Sequence, residues 1–167
     1  MDIKITDNSL LKSTDRKSIV EFESMLSSVD GVFFGDTNIC PLKHSFSDGI
    51  YVREIFIPAG TVLVGKIHKH DHPNFLMSGI VDVVTEFGSE RIEAPKSMIS
   101  KSGTKRVVHA ITDTVWITVH VNKKNITDIP KLEDEIIAKS YSEYDRFIAN
   151  KGSLIGRVSN YIKSLSK

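Results

Sequence analysis

The central stretch of the chain, from about residue 31 to residue 125, most constrains the fold. It consists of short runs rich in β-branched and aromatic residues, such as IYVREIFI at 50–57 and TVWITVHVN at 114–122, separated by turn sequences such as PAG and KSG. No segment between these runs shows the 3.6-residue period of a helix. Seven or so strands at this spacing predict an antiparallel sandwich or β-barrel, and we expect a jelly roll.

Helical patterns flank this β-rich region. The segment STDRKSIVEFESMLSSVDG predicts an N-terminal helix capped by Ser13 or Thr14, and apolar residues recur at helical spacing near the C-terminus. We therefore divide the chain into an N-terminal helical extension (1–30), a β-barrel (31–125) and a C-terminal helical segment (126–167). All three fit one compact domain, because the chain has 167 residues of which 40% are hydrophobic. The amphipathic C-terminus is expected to pack on the β-rich region or on a second subunit.

Charge and cysteine content exclude several classes of protein. The 22 Lys and Arg balance 21 Asp and Glu, so no global field would recruit a nucleic-acid polymer or an anionic membrane. Cys40 is the only cysteine, which excludes an intramolecular disulfide and a multi-thiolate zinc site. The start MDIKITDNSLLKS does not resemble a signal peptide, and no apolar run approaches the roughly 18 residues of a membrane span. We expect a cytoplasmic protein.

Three of the six histidines alternate in the segment GKIHKHDHPNFLMSG, at positions 68, 70 and 72. In an extended strand, alternate side chains lie on the same face. Neutral imidazole is a common ligand of zinc, iron and nickel, and two histidines at this spacing can bind one ion. His68 and His70 are therefore candidate metal ligands.

A third ligand must come from elsewhere in the chain. His72 qualifies if the strand continues regularly, but the His72-Pro73 pair predicts a turn. In TVWITVHVN, alternation places Trp116, Thr118 and His120 on one face, so we prefer His120. The predicted metal set is His68, His70 and His120, with His72 as an alternative, for one divalent ion of zinc, iron, nickel or manganese.

The first histidine segment resembles the cupin superfamily of small β-barrels, whose first motif reads G-x5-H-x-H-x3,4-E-x6-G. His68 and His70 match its H-x-H pair, and Gly79 matches its closing glycine at shortened spacing. Asn74 stands where the family usually has a glutamate ligand. The resemblance implies a cupin fold with an incomplete set of metal ligands.

The second cupin motif, G-x5-P-x-G-x2-H-x3-N, resembles KSGTKRVVHA. Gly103 aligns with the P-x-G turn, which places Arg106 where the family has its third histidine ligand. The wider pattern from residue 44 to residue 116 is similar to small single-cupin proteins often encoded by tailed bacteriophages. That resemblance implies a viral setting and a place in the host cytoplasm, but no particular reaction.

Arg106 points to an anionic ligand. A guanidinium cannot ligate a cation, stays protonated, and attracts carboxylate or phosphate. Arg53 and Lys66 alternate with apolar residues in neighbouring strands, where they are either further ligand contacts or paired side chains on the outer face. The predicted ligand-binding residues are Tyr51, Arg53, Lys66, Asn74, Phe75, Arg106 and Trp116.

Three functions stay open. The sequence favours a small-molecule-binding protein that captures an anionic, nucleotide-like ligand in the barrel, for example a phage protein that sequesters a host nucleotide signal. The alternatives are a metal-dependent cupin enzyme (isomerase, dioxygenase or hydrolase) and a structural or interaction module. Paired carboxylates and a catalytic triad are not evident, so no catalytic residue is assigned. A homodimer or a higher homo-oligomer is expected in each case.

Overall fold

The structure, a computed structural model, describes residues 15–28 and 38–165. Two antiparallel sheets face each other. The larger sheet contains, in order across it, β1 (Leu42–Ser47), β2 (Ile50–Ile57), β10 (Thr114–Val121), β5 (His72–Ser78) and β8 (Lys96–Ser100). The smaller sheet contains β3 (Val62–Val64), β9 (Val107–Ala110), β6 (Ile80–Thr85) and β7 (Gly88–Glu93), and a two-residue ladder joins β4 (Ile67–His68) to β11 (Ile137–Ala138).

These sheets confirm the mainly β fold and correct one detail of it. Within the described ranges no ladder connects the larger sheet to the smaller one, so the molecule is an open jelly roll and not a closed barrel. Gly79 lies at the crossing from β5 to β6, with a φ of 93° that favours glycine. A Cβ on Gly79 would lie 2.6 Å from the Asp113 carbonyl oxygen, so the close approach of the two chain segments also requires glycine.

Helices flank the sheets on both sides in sequence, as predicted. The first helix, α1 (Arg16–Ser27), is capped by Asp15, whose carboxylate accepts a hydrogen bond from the Ser18 amide at 2.7 Å. Asp15 therefore takes the capping role expected of Ser13 or Thr14, which lie outside the described residues. The C-terminal segment forms α2 (Ile129–Ile136) and α3 (Tyr141–Leu165). None of the helices in the described residues is long and apolar enough to cross a membrane.

The C-terminal segment is not continuously helical because β11 interrupts it. Ile137 and Ala138 are buried and pair with His68 and Ile67 of β4. This ladder ties the start of the histidine segment to the C-terminal part of the chain.

The main core fills the space between the two sheets. It contains buried side chains that alternate along their strands, and full burial of each contributes about 1.5–3 kcal/mol. These residues are Leu76, Val81, Val83, Ile92, Val108 and Trp116. The opposite, outward face of the larger sheet is also apolar and exposes Ile50, Phe56, Phe75, Met77, Ile99 and Val121.

Candidate functional site

A cavity of about 480 Å³ opens between the two sheets, above the main core. Alternate residues of β2 form one wall of this cavity. Tyr51, Arg53, Ile55 and Ile57 all face the cavity, so the wall changes from polar to apolar along the strand. The site therefore combines a polar end with an apolar floor.

Three histidines meet at the polar end of the cavity. His68 of β4, His72 of β5 and His120 of β10 each offer a ring nitrogen, and these nitrogens all lie within 4.8 Å of one another. The ring centroids are 4.1 Å apart for His68 and His72, 4.6 Å for His72 and His120, and 4.8 Å for His68 and His120. We call this group the histidine cluster.

His70, a predicted ligand, lies outside the histidine cluster. Its side chain is exposed and packs edge-on against Phe147 of α3, with ring centroids 5.5 Å apart. The expectation that positions 68, 70 and 72 share one face does not hold, because the strand ends at His68. The chain bends at Lys69 and His70, where the Lys69 amide donates to the Ile136 carbonyl at 2.8 Å, and alternation restarts in β5.

His72 occupies the inward position that His70 was expected to take. The turn predicted at His72-Pro73 is absent, and Pro73 lies within β5 opposite Ile99. Proline is tolerated there because the ladder between β5 and β10 begins only at Asn74. No backbone N–H is therefore needed from position 73 on that side. His120 faces the cluster, as the alternation along β10 predicts, and lies beside Thr118, whose Oγ1 is 3.2 Å from His120 Nε2.

The histidine cluster is electrostatically neutral over a wide pH range. Burial, opposed in part by a hydrogen bond to the His70 carbonyl, lowers the pKa of His72 to about 4. Burial first, then repulsion from the His72 imidazolium when it forms and from the Arg53 guanidinium, lower the pKa of His120 to about 3. The pKa of His68 lies well below its ordinary value, because of burial first and of its two histidine neighbours next. Three neutral imidazoles are thus available near neutral pH.

The histidine cluster fits a metal ion. His68 Nδ1 and His72 Nε2 are buried and have no hydrogen-bond partner among the described residues. An unsatisfied buried polar atom costs about 1–3 kcal/mol, and metal ligation would offset that cost. In a tetrahedral zinc site, ligand nitrogens lie about 3.3 Å apart, so the cluster reaches ligating geometry with small ring movements. Three imidazoles are also a ligand set that catalytic zinc sites use, with the fourth position open.

Asn74, at the position of the usual cupin glutamate, is committed to hydrogen bonds within the protein. Its Nδ2 donates to the His72 carbonyl at 3.1 Å and to Ser100 Oγ, and its Oδ1 accepts from Trp116 Nε1 at 3.0 Å. It is almost completely buried. Asn74 therefore orients its neighbours and has little capacity left for a ligand.

The other predicted aromatic contacts divide between the two faces of the sheet. Trp116 and Tyr51 line the cavity, and Tyr51 stacks against His120 with ring centroids 5.8 Å apart. The Tyr51 hydroxyl lies 2.7 Å from His44 Nδ1. Phe75 is exposed on the outward face, because it follows the inward Asn74 in β5, so its predicted ligand contact is corrected.

The two predicted arginines line the cavity, and Lys66 lies at its rim. Lys66 is exposed and forms an ion pair with Glu133 at 2.5 Å, which is the paired state considered for it. Arg53 faces the cavity from β2, and Arg106 faces it from the segment before β9. The Arg106 guanidinium donates to Ser100 Oγ, and burial lowers its pKa while Glu86 opposes that change.

Ser100 and Thr118 belong to the site but were not predicted as site residues. Ser100 Oγ accepts from both Asn74 and Arg106, and Thr118 lies between His120 and the backbone of Arg53. Alternation is the only feature of the sequence that could have indicated them. Each lies at an inward-facing position of its strand, Ser100 in β8 and Thr118 in β10. A serine or threonine on an inward strand face is too common a feature to indicate a site by itself.

Two facing antiparallel sheets with inward histidines on neighbouring strands form an open jelly roll. The chain is similar to several solved structures. Ectoine synthase from P. lautus has a TM-score of 0.50 and 15% identity, over 62% of this chain and 78% of that one. A cupin superfamily protein from Desulfitobacterium hafniense has a TM-score of 0.44 and 6% identity, over 53% of this chain and 83% of that one.

A cupin domain from Bordetella pertussis has a TM-score of 0.42 and 17% identity, over 55% of this chain and 99% of that one. No protein-family model and no curated protein sequence matches the chain. At these identities the similarity concerns the fold, so the function has to be argued from the site itself.

Proposed function

We propose that this protein binds one divalent transition metal through His68, His72 and His120 and captures a small anionic molecule in the cavity beside it. The observation that carries the proposal is the buried histidine cluster, in which two ring nitrogens have no partner among the described residues. Such a group costs stability unless something binds it. A metal ion satisfies all three rings at once.

The surroundings of the cluster support the anionic ligand. Three neutral histidines leave the two positive charges of a divalent ion uncompensated, and the carboxylate expected at position 74 is an asparagine. Arg53 and Arg106 add positive charge to the same cavity. An anion that contacts the ion and an arginine together would neutralise this excess.

The sequence placed most weight on Arg106 and favoured a ligand-binding protein without a defined metal. The geometry supports both components in one site, because the histidine cluster and Arg106 line the same cavity. The phage setting and a nucleotide-like ligand remain proposals that rest on sequence resemblance. The cavity's mixed polar and apolar lining is compatible with small organic anions of several kinds.

A metal-dependent enzyme is the second candidate function. The observation that favours it is the number of protein ligands, since three histidines leave at least one coordination position for water or substrate. A divalent metal in such a site can polarise a bound carbonyl or lower the pKa of a bound water. The chain's own contribution would be to position the substrate anion with Arg53 and Arg106 and to hold His120 through Thr118.

The proposal is tested by titrating the metal-free protein with Co²⁺ and Zn²⁺. We expect saturation at one ion per chain, with the visible absorption of a low-coordinate Co²⁺ site that Zn²⁺ then displaces. His72→Ala should lose this absorption, and a panel of small anions should alter it in the wild-type protein by entering the open position. Wild-type protein that shows no saturable Co²⁺ signal would overturn the metal site and leave a metal-free binding protein or an interaction module.

A further inference from the structure

Two guanidinium groups enter the cavity from opposite sheets. Arg53 belongs to β2 of the larger sheet, and Arg106 directly precedes β9 of the smaller sheet. Both groups lie near the histidine cluster, and the positive charges of both lower the pKa of His68. The sheets of a sandwich lie about 10 Å apart, so one short molecule can contact both arginines.

These two guanidinium groups lack counter-charges in the protein. Across residues 15–28 and 38–165, the Arg53 side chain makes no hydrogen bond or ion pair, although each guanidinium has five N–H donors. Arg106 donates to the neutral Ser100 hydroxyl and has no carboxylate within ion-pair distance in these ranges. A surface arginine offers a contrast, since Arg91 is held by both carboxylate oxygens of Asp82, at 2.7 and 2.8 Å.

The carboxylates that line the cavity are already engaged with other cations. Glu23 of α1 accepts two hydrogen bonds from Lys105 Nζ, both at 2.6 Å. Glu133 of α2 is paired with Lys66. Glu86 is near enough to raise the pKa of Arg106, but it makes no hydrogen bond or ion pair with it. The cavity therefore has two partly buried guanidinium groups that no described carboxylate pairs with directly, and an unpaired buried charge is costly.

The surface next to each arginine is apolar. On β2, the next residue on the same face after Arg53 is Ile55, and after Arg106 the next inward residue is Val108. Trp116 lies opposite Ile55 in the ladder between β2 and β10. Next to each guanidinium group the cavity thus presents hydrocarbon, which suits methylene groups and not further charge.

We propose that the cavity takes a small molecule with two separate anionic groups joined by a short apolar spacer, one group bound by Arg53 and the other by Arg106. A short saturated dicarboxylate has this chemistry. The proposal deepens the proposed function, because it assigns the ligand class of the same site. The two arginines bind the ligand whether or not a metal is present, and a metal ion strengthens binding by contacting one of the anionic groups.

The test is calorimetric titration of the protein with succinate, glutarate and adipate, each compared with the mono-acid of equal length. Metal-free and zinc-loaded protein are titrated in parallel, and the zinc content of each sample is measured. We expect at least one diacid to bind tenfold or more tightly than its matched mono-acid in both states. A phosphomonoester, whose charge lies on one group, is expected to bind more weakly than the best diacid.

Variants of the two arginines test whether each of the ligand's two anionic groups is bound by an arginine. Arg53→Gln and Arg106→Gln should each weaken diacid binding by about tenfold to a hundredfold and leave mono-acid and diacid nearly equal. Arg91→Gln, which removes a surface arginine outside the cavity, should bind like the wild-type protein. Thermal unfolding of each variant, compared with the wild-type protein, shows whether a loss of binding comes from misfolding.

The outcomes separate this proposal from the proposed function. Zinc binding without any preference for diacids, or tighter binding of the phosphomonoester, would overturn the two-anion ligand and leave the metal site standing. Diacid binding that depends on both arginines in a protein that takes up no zinc would support the ligand class and overturn the metal site. Diacid binding that is unchanged in Arg53→Gln and Arg106→Gln would place the ligand elsewhere and refute the proposal.

Discussion

His68 and His120 lie face to face, with ring planes 4° apart and centroids 4.8 Å apart. His68 belongs to a two-residue strand whose partner is the C-terminal β11, whereas His120 belongs to a central strand of the larger sheet. The relative position of the two rings therefore depends on how β4 packs against the larger sheet. The histidine cluster is a product of tertiary structure, not of a local motif.

Replacing His72 by leucine should stabilise the metal-free protein. His72 Nε2 is buried without a partner among the described residues, and removing an unsatisfied polar atom relieves its desolvation cost. We expect a gain of about 1 kcal/mol in the free energy of unfolding, measured by urea denaturation with a chelator present. In excess zinc the wild-type protein should be the more stable of the two, since only its intact histidine cluster is stabilised by binding the ion. A destabilised metal-free variant would indicate that His72 Nε2 has a partner in the folded protein, or that the contact between His72 Nδ1 and the His70 carbonyl outweighs the cost of the buried Nε2.

The stability of the metal-free protein should fall as the pH is lowered from about 6.5 towards 4. The folded-state pKa of His72 is about 4 and that of His120 about 3, whereas an unfolded histidine has a pKa near 6.5. In this window the unfolded chain binds more protons, so acid favours unfolding, by up to about 1.4 kcal/mol per pH unit for each histidine. Urea denaturation at several pH values measures the slope, and His72→Leu should reduce it. Equal slopes in the two proteins would contradict these shifts.

Gly103→Ala should destabilise the protein more than Gly60→Ala. Both glycines have a positive φ near 80°, so alanine pays a similar backbone cost of about 1–2 kcal/mol at each. Around Gly60 there is open space, but a Cβ on Gly103 would lie 2.5 Å from the Tyr144 ring. The difference between the two variants in thermal unfolding isolates this clash. Equal effects would show that α3 moves away from Gly103 easily.

The outward face of the larger sheet should form the predicted homodimer, with a second copy of the chain covering Phe75 and its apolar neighbours. Lys43 and Glu54 lie opposite each other in the ladder at the same face, and a twofold axis can place unlike charges in contact. Phe75→Glu should shift the protein towards the monomer in light scattering after size-exclusion chromatography. Phe87→Glu, which changes an 80% exposed phenylalanine in the β6–β7 turn, serves as the control. A wild-type monomer, or an unchanged dimer in Phe75→Glu, would exclude this face.

The sequence predicted the sites that depend on regular alternation. β10 is eight residues long and lies between β2 and β5, so the shared face of Trp116, Thr118 and His120 could be read directly from the period of two. The jelly roll followed from the number and spacing of such runs. Arg106 was placed in the cavity by the resemblance to the second cupin motif, and the structure has it there.

Long-range pairing explains what the sequence missed. His70 was expected to face inward because nothing near it shows that β4 ends at His68 and pairs with Ile137. The missing turn at Pro73 has the same origin, since only the ladder shows that the pairing of β5 with β10 begins at Asn74. A period of two identifies faces within one strand and gives no information across a bend.

The most direct test of the central claim is the zinc content of two single-histidine variants that are only two positions apart. Wild-type protein, His72→Ala and His70→Ala are stripped of metal, incubated with equal zinc, dialysed and analysed, with circular dichroism to verify folding. We predict about one zinc per chain in the wild-type protein and in His70→Ala, and a loss of at least tenfold in affinity for His72→Ala. Zinc that is lost from His70→Ala and retained by His72→Ala would contradict the histidine cluster as the metal site.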